Sequence, residues 1–300
     1  MTAMMGDHGI IATALVAMPD RHNGDLNAAP KIKKLVQQHG KLINEYPPEK
    51  PYNVCVDTVP LTIERLPYIP AKDSKLIDPG TARATVAPSA ECPYGTQDND
   101  WAERHAHMTV VQQHCSYWDK DADGIIWPID TWRGVRAWGW NWFLSAIAVF
   151  IINFNLSYPT IPGSILPDPF FRIYLKQVHK CKHGSDSQSY DAEGRFVPQN
   201  FENLFAKYDS GNKGGLDVYD VARALKGYRF AFDFFGWSAA MFEWLAVYFL
   251  LWPEDGIMRK EDVRRVFDGS IFQQKADEYA EKCARNGKVR KAIKYGRTGY

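Results

Sequence analysis

Charge of one sign is missing from this chain: 36 Lys and Arg against 35 Asp and Glu leave a formal net charge of +1 over 300 residues. Nothing steers it toward a polyanion, and none of its 8 histidines stands in a zinc-finger spacing with cysteine, so no nucleic-acid partner is expected. Cysteine is scarce, with 5 residues scattered over positions 55, 92, 115, 181 and 283. An odd, dispersed set argues against a secreted disulfide framework and fits a reducing, cytosol-facing environment. The first ten residues lack a basic stretch followed by an apolar one, so a cleaved secretory signal is not expected and membrane contact has to come from inside the chain. Charge is also missing locally, because residues 137–167 contain no Asp, Glu, Lys or Arg. The apolar run 138–156 lies in that interval and is followed by Pro159, Pro162 and Pro167, with Pro169 just beyond.

What is present divides the chain into five stretches. Residues 1–98, with Pro47, Pro48, Pro51, Pro60, Pro67 and Pro70 and little helical periodicity, read as an extended or partly disordered arm. Residues 99–137 read as a calcium-binding helix–loop–helix, 138–169 as a hydrophobic anchor, 170–281 as a helical domain with degenerate repeats, and 282–300 as a basic tail without acids. The expected fold class is mainly α: EF-hand helix–loop–helix units with an inserted hydrophobic membrane or lipid-droplet anchor.

The loop at 119–130 carries Asp119, Asp121, Asp123 and Asp130 at positions 1, 3, 5 and 12, with Gly124 at position 6. An EF-hand needs these residue types there: the early carboxylates converge on the ion, the glycine permits the sharp turn, and Ile125 at position 7 offers its backbone carbonyl. Position 12 is Asp rather than Glu, one methylene shorter, which weakens bidentate reach and favours lower affinity or Mg²⁺ competition. A repeat at 209–220 keeps the frame, but Gly211 and Lys213 replace two ligands, so it is expected to be silent; a fainter echo follows at Asp255, Gly256 and Met258. EF-hands usually pair, so such relics read as scaffold partners for the one working loop.

His114 occupies the helix slot that the repeat fills with Leu204, a polar ring on a core-facing stripe. A hydrogen-bonded core histidine is the commoner meaning of such a residue. His179 and His183 are four apart, on what reads as one helix face, and spacing alone does not choose between them; a basic last turn over 176–183 complementing a helix C-terminus is the plainer alternative. Cys115 and Cys181 flank these histidines, and small buried cysteine is common in helices.

Several ordered stretches together resemble the caleosin family: Val111-Gln-Gln-His114 before the loop, Asp123-Gly-Ile-Ile within it, the segment from Pro162 to Pro169, His179-Lys-Cys-Lys-His183-Gly-Ser, Phe235-Gly-Trp237, and Val263 through Gly269 to Phe272. The segment from Pro162 is similar to that family's proline knot, one residue longer and with Arg172 where a proline is often found. The resemblance implies Ca²⁺ binding, a location on the lipid-droplet surface and endoplasmic reticulum facing the cytosol, and a haem peroxygenase activity that passes oxygen from fatty acid hydroperoxides to unsaturated fatty acids. It also implies that His114 and His183 are the haem-linked, catalytic histidines, without saying which one ligates iron; a thiolate ligand from the flanking cysteines is the minor alternative. Two rival readings are a non-catalytic, Ca²⁺-sensing coat protein of the phospholipid monolayer and a soluble calcium buffer. The anchor is expected to enter a droplet as a hairpin, with Asn141, Asn153 and Asn155 interrupting the apolar run and the prolines bending its far end.

Overall fold

The computed structural model describes residues 67–285. Residues 1–66 of the arm and 286–300 of the basic tail lie outside them. The mainly helical class is what the structure has, and the helices fall into two runs of one plan. A short helix α1 (Trp101–Arg104) precedes the first run: α2 (Val110–Ser116), strand β1 (Ile125–Ile126), α3 (Pro128–Ala137), α4 (Trp142–Thr160), strand β2 (Ile173–Tyr174) and a 3-10 helix (Leu175–Cys181). The second run has α5 (Pro198–Tyr208), β3 (Gly215–Leu216), α6 (Val218–Tyr228), α7 (Phe234–Leu251), β4 (Met258–Arg259) and α8 (Lys260–Phe267), and α9 (Ile271–Arg285) follows. Each run is therefore helix, loop, strand, helix, long apolar helix, strand, helix.

Local chemistry sets these boundaries. Pro128 and Pro198 open α3 and α5, where the missing N–H costs no hydrogen bond. Asn141 caps α4 by accepting from the Leu144 N–H at 2.8 Å, and Asp233 caps α7 by accepting from the Gly236 N–H at 3.0 Å. Gly124 and Gly214 sit at φ +79° and +74°, the left-handed turn that each loop needs at its sixth position.

Strand pairing differs from the sequence expectation. β1 pairs antiparallel with β2, and β3 with β4. The degenerate loop at 209–220 is thus the partner of the fainter echo, and the first loop is paired by the chain returning after the apolar helix. The reason is proximity along the chain, since each strand pairs within its own run.

The 19 residues of α4 are followed by the proline-rich turn. Pro159 is the penultimate residue of the helix rather than its breaker, and Asn153 and Asn155 do not interrupt it: Asn155 donates back to the Ile151 carbonyl, and Asn153 donates to the Phe171 carbonyl at 3.0 Å. The chain doubles back there, with Phe171 stacked on Phe154 at 5.7 Å and the Tyr174 N–H donating to Thr160 Oγ1 at 3.1 Å.

Separate apolar clusters hold the two runs. Phe196, Phe201, Leu204, Leu216 and Val263 centre the second, whereas Cys115, Ile126, Ile173, Leu175 and Val178 centre the first. Tyr117, Leu250, Ile271 and Phe272 join them. Residues 68–97 run without a helix over this surface and are fastened to it: buried Arg264 donates to the Ala87 carbonyl and to Thr96 Oγ1, both at 2.8 Å, while pairing with Asp268 at 2.9 Å. That gives a buried guanidinium the partners it requires.

Candidate functional site

His114 stands in the last turn of α2, fixed at both ends of its environment. The helix is opened by a capping box in which the Gln112 side chain accepts from the Thr109 N–H at 2.9 Å. From the other side the turn between α8 and α9 closes on it. Gly269, at φ +77°, brings its Cα so near that an added Cβ would stand 2.9 Å from the His114 Cα. Nδ1 of His114 donates to the Val266 carbonyl at 2.7 Å, and Phe272 meets the ring edge-on at 5.0 Å. A proton held on Nδ1 leaves the lone pair on Nε2. Burial pulls the His114 imidazole below its ordinary range, against the opposing Val266 carbonyl, so the ring is neutral near pH 7.

His183 comes to the same cavity from a different element. The 3-10 helix ends at Cys181, and Lys182 is extended, so His179 and His183 do not share a helix face as their spacing predicts. A 3-10 turn advances three residues per cycle and ends early here, yet both rings still line the cavity, with His114, Cys115 and Cys181. The wall between them is apolar, formed by Val111, Leu156, Val178, Val247 and Val266 among others. Nε2 of His183 lies 3.4 Å from Glu243 Oε1, and its buried Nδ1 has no hydrogen-bond partner among the described residues. Burial pulls this imidazole down, but the Glu243 hydrogen bond and charge, with Asp186 and Asp233, outweigh it, and the net direction is up. One fold thus pushes two imidazoles in opposite directions, the usual mark of divided roles. The cysteines do not compete: burial pushes the thiols of Cys115 and Cys181 up to about 12, so neither is poised as a thiolate.

The loop at 119–130 lies at the far end of α2. Asp119, Asp121 and Asp123 bring one carboxylate oxygen each within 4.8 Å of the others. Asp119 accepts from the Asp123 and Gly124 N–H groups at 3.1 and 3.0 Å, and burial, with the crowding of Asp123 and Asp121, raises it to about 6. That crowding is what a divalent ion relieves. Asp130 is outside that group: it caps α3, accepting from the Trp127 N–H at 3.1 Å, with Arg133 at 3.6 Å. Ile125 follows Gly124 directly and opens β1, where it pairs with Tyr174. In the repeat loop the Lys213 ammonium fills the middle, 2.6 Å from Asp220 and 3.1 Å from Asp217.

The profile of the family described as "Caleosin related protein" matches residues 106–276, more than half of the chain and all of the elements that carry these features. The chain belongs to the caleosin family. It is 38% identical over 215 residues to a protein of Lilium longiflorum named peroxygenase, covering 72% of this chain and 87% of that one. It is 35% identical to a probable peroxygenase 4 of Arabidopsis thaliana, covering 58% of this chain and 89% of that one. A probable inactive peroxygenase-like protein of the same plant is also 35% identical, over 47% of this chain and 67% of that one. The relatives named peroxygenase are matched over 87% and 89% of their length and the one named inactive over 67%, and the chain is a caleosin-like peroxygenase. No solved structure matches this caleosin.

Sequence reasoning missed two features of the site. Helix α7 is as apolar as α4, with mean hydropathy 1.5 against 1.4, and it forms a wall of the cavity through Ala240, Glu243, Trp244 and Val247. Glu243 itself was legible as the single charge in an 18-residue apolar stretch. Lys213 was read only as a lost ligand, although it supplies the positive charge that the loop needs.

Proposed function

We propose that this caleosin is a haem peroxygenase of a lipid surface, with a Ca²⁺ ion held by Asp119, Asp121, Asp123 and the Ile125 carbonyl. The observation that carries the reading is the pair of histidines on one apolar cavity, with a buried His183 nitrogen that nothing among the described residues satisfies. A buried imidazole nitrogen without a partner is costly unless a ligand uses it. The donor set fits haem: His114, neutral and with Nδ1 tied to a carbonyl, is arranged as metal-bound histidines are, its Nε2 free for iron. His183, with the raised affinity for protons, is the acid–base group. Bound haem supplies cleavage of the hydroperoxide O–O bond and delivery of one oxygen to an alkene. The residues do the rest. Val111, Leu156, Val178 and Val247 exclude water and accept an acyl chain. His183 Nδ1 takes the hydroperoxide proton and returns it to the departing alkoxide, so ROOH and an alkene give ROH and an epoxide with no external reductant. Fatty acid hydroperoxides and unsaturated fatty acids suit such walls.

The lipid reading rests on α4 being inside out. Ser145, Asn153, Ser157 and Thr160 are buried, while Phe143, Ile147, Phe150, Phe154 and Tyr158 form an exposed stripe at spacings of four, three, four and four. A water-facing helix has the reverse pattern. The chain's return at Phe171 keeps both ends of the segment on one side, as oil beneath a phospholipid monolayer requires. The lipid-droplet surface and the cytosolic face of the endoplasmic reticulum are the surfaces of this kind.

An absorption spectrum of the full chain in detergent, with haem supplied, tests the reading. A stoichiometric Soret band with oxygen transfer from a fatty hydroperoxide to an unsaturated acceptor is expected. Tight lipid binding without either would make the chain a calcium-sensing coat protein, like the inactive relative in activity.

A further inference from the structure

We propose that Glu243 is a positioning residue for His183: its carboxylate accepts the imidazole Nε2–H and so keeps the lone pair on the buried, unpartnered Nδ1, for the hydroperoxide proton. The inference rests on the peroxygenase reading and adds to it the group that chooses the tautomer.

Glu243 is the one Asp, Glu, Lys or Arg in the 18 residues of α7, at the middle of the helix. Glu243 lines the cavity with a side chain that is 62% exposed, so it stands where the cavity meets solvent. Gly236, Ala240, Glu243, Val247 and Leu250 recur at spacings of four, three, four and three, and Gly236, Ala240 and Leu250 of that stripe are buried. The small Gly236 and Ala240 leave room on the cavity side of the helix. Oε1 then reaches 3.4 Å from Nε2 of a His183 whose side chain is only 6% exposed.

An ionised carboxylate only accepts, and a neutral imidazole has one donor and one acceptor nitrogen. The contact therefore assigns the proton to Nε2 and the lone pair to the unpartnered Nδ1. The other groups facing His183 do not dictate the opposite tautomer. Asp186 is 3.5 Å from Lys182, and Asp233 is occupied by the Ser185 hydroxyl at 2.6 Å, the Ser185 N–H at 2.9 Å and the Gly236 N–H. Phe235 meets the imidazole ring edge-on at 6.3 Å and offers no acceptor. With Nδ1 fixed as acceptor, it takes the proton from ROOH as the O–O bond breaks toward the alkoxide. The same nitrogen gives that proton back to form ROH. An Nδ1–H tautomer would present a proton where one must be removed.

The test uses the full chain in detergent, ring-¹⁵N labelled at histidine, without haem and at a pH where His183 is neutral, with its signal assigned by His183→Gln. The expected signal is the Nε2–H tautomer in the unmodified chain and in Glu243→Gln, whose amide oxygen accepts the same hydrogen. Glu243→Leu, apolar on an apolar helix, is expected to give a tautomer mixture. With haem supplied, the leucine variant should lose about 10–100-fold in kcat, the scale of removing an orienting hydrogen bond, with KM little changed, and the glutamine variant should recover the larger part. An unchanged tautomer in Glu243→Leu overturns the proposal, as does turnover equal to that of the unmodified chain. If the unmodified chain itself does not turn over, the peroxygenase reading falls, while the ¹⁵N signals still decide whether Glu243 sets the tautomer.

Discussion

The two runs of this caleosin share one backbone and differ in chemistry. In the first loop the Gly124 N–H donates to Asp119 at 3.0 Å, and in the second the Gly214 N–H donates to Asp209 at 2.9 Å. The Leu175 N–H donates to the Gly124 carbonyl at 2.9 Å, and the Lys260 N–H to the Gly214 carbonyl at 3.1 Å. Asp130 and Asp220 each accept, both at 3.1 Å, from the backbone three residues before them. Against that identity of frame stand a few substitutions: His114 where the repeat has Leu204, and Asp123 where it has Lys213. The frame supplies geometry, and individual side chains decide what it binds.

The sharpest way to break the comparison is to give the first run the residue of the second. Leu204 is fully buried in its cluster, so His114→Leu should leave folding and calcium binding intact. It should abolish the Soret band and lower oxygen transfer at least about 100-fold, the scale of losing a catalytic group. A full Soret band in that variant would remove His114 from the site and leave His183 or His179 to hold the metal.

The reverse exchange concerns Lys213. Its ammonium is the counter-ion of buried Asp220, which Arg223 also pairs, and it donates to the Ser210 carbonyl at 2.7 Å. The second loop thus carries a covalently attached cation where the first has room for a metal. Breaking a buried pair by removing one partner costs about 3–5 kcal/mol, so calcium-free Lys213→Asp should lose stability on that scale, read as a fall in the denaturation midpoint. The new aspartate restores a ligand at position 5, and Ca²⁺ should recover much of the loss, roughly 2.7 kcal/mol at 100 times its Kd. Calorimetry should then count two ions instead of one, and Asp123→Ala alone should leave none. One site in Lys213→Asp, with no calcium-dependent recovery, would mean that Gly211 is the stronger barrier.

These comparisons also show how far the sequence could be read. The clustering of Asp119, Asp121 and Asp123 was legible because they lie in one short loop whose spacing is that of an ion-binding site. That His114 and His183 line one cavity was not legible locally, since they are 69 positions apart and no local pattern says that α2 and the segment after Cys181 face each other. Strand partners were misjudged because loop resemblance points to the wrong mate; pairing within a run is a fact of chain connectivity. Helix α7 was overlooked because Glu243 breaks its apolar run, whereas α4 has no charge to hide it. Glu243 carried a signal, a lone acid on an apolar face, and needed a partner in space to acquire meaning.

The smallest expected effect tests whether the two apolar helices share the lipid contact. They occupy the same place in each run and pack together, with Ala148 and Ile152 in one cluster with Ala246 and Phe249. On α4, Phe150 and Phe154 are 65% and 54% exposed, and on α7, Met241 and Leu245 are 48% and 44% exposed. Full burial of such side chains is worth about 1.5–3 kcal/mol each, and half-exposed ones recover roughly half of that in oil. Phe150→Ser/Phe154→Ser should therefore weaken binding to phospholipid-coated triacylglycerol droplets by about 10–100-fold in flotation, an effect of about 1.4–2.7 kcal/mol. Met241→Ser/Leu245→Ser should weaken it by a smaller factor, about 3–30-fold, because its side chains are less exposed. Calcium stoichiometry should be unchanged in both, since neither pair touches a loop. If the α7 pair binds droplets as well as the unmodified chain while the α4 pair does not, only the first run meets lipid. The second apolar helix would then serve the cavity wall alone, and the likeness of the two runs would end at their backbones.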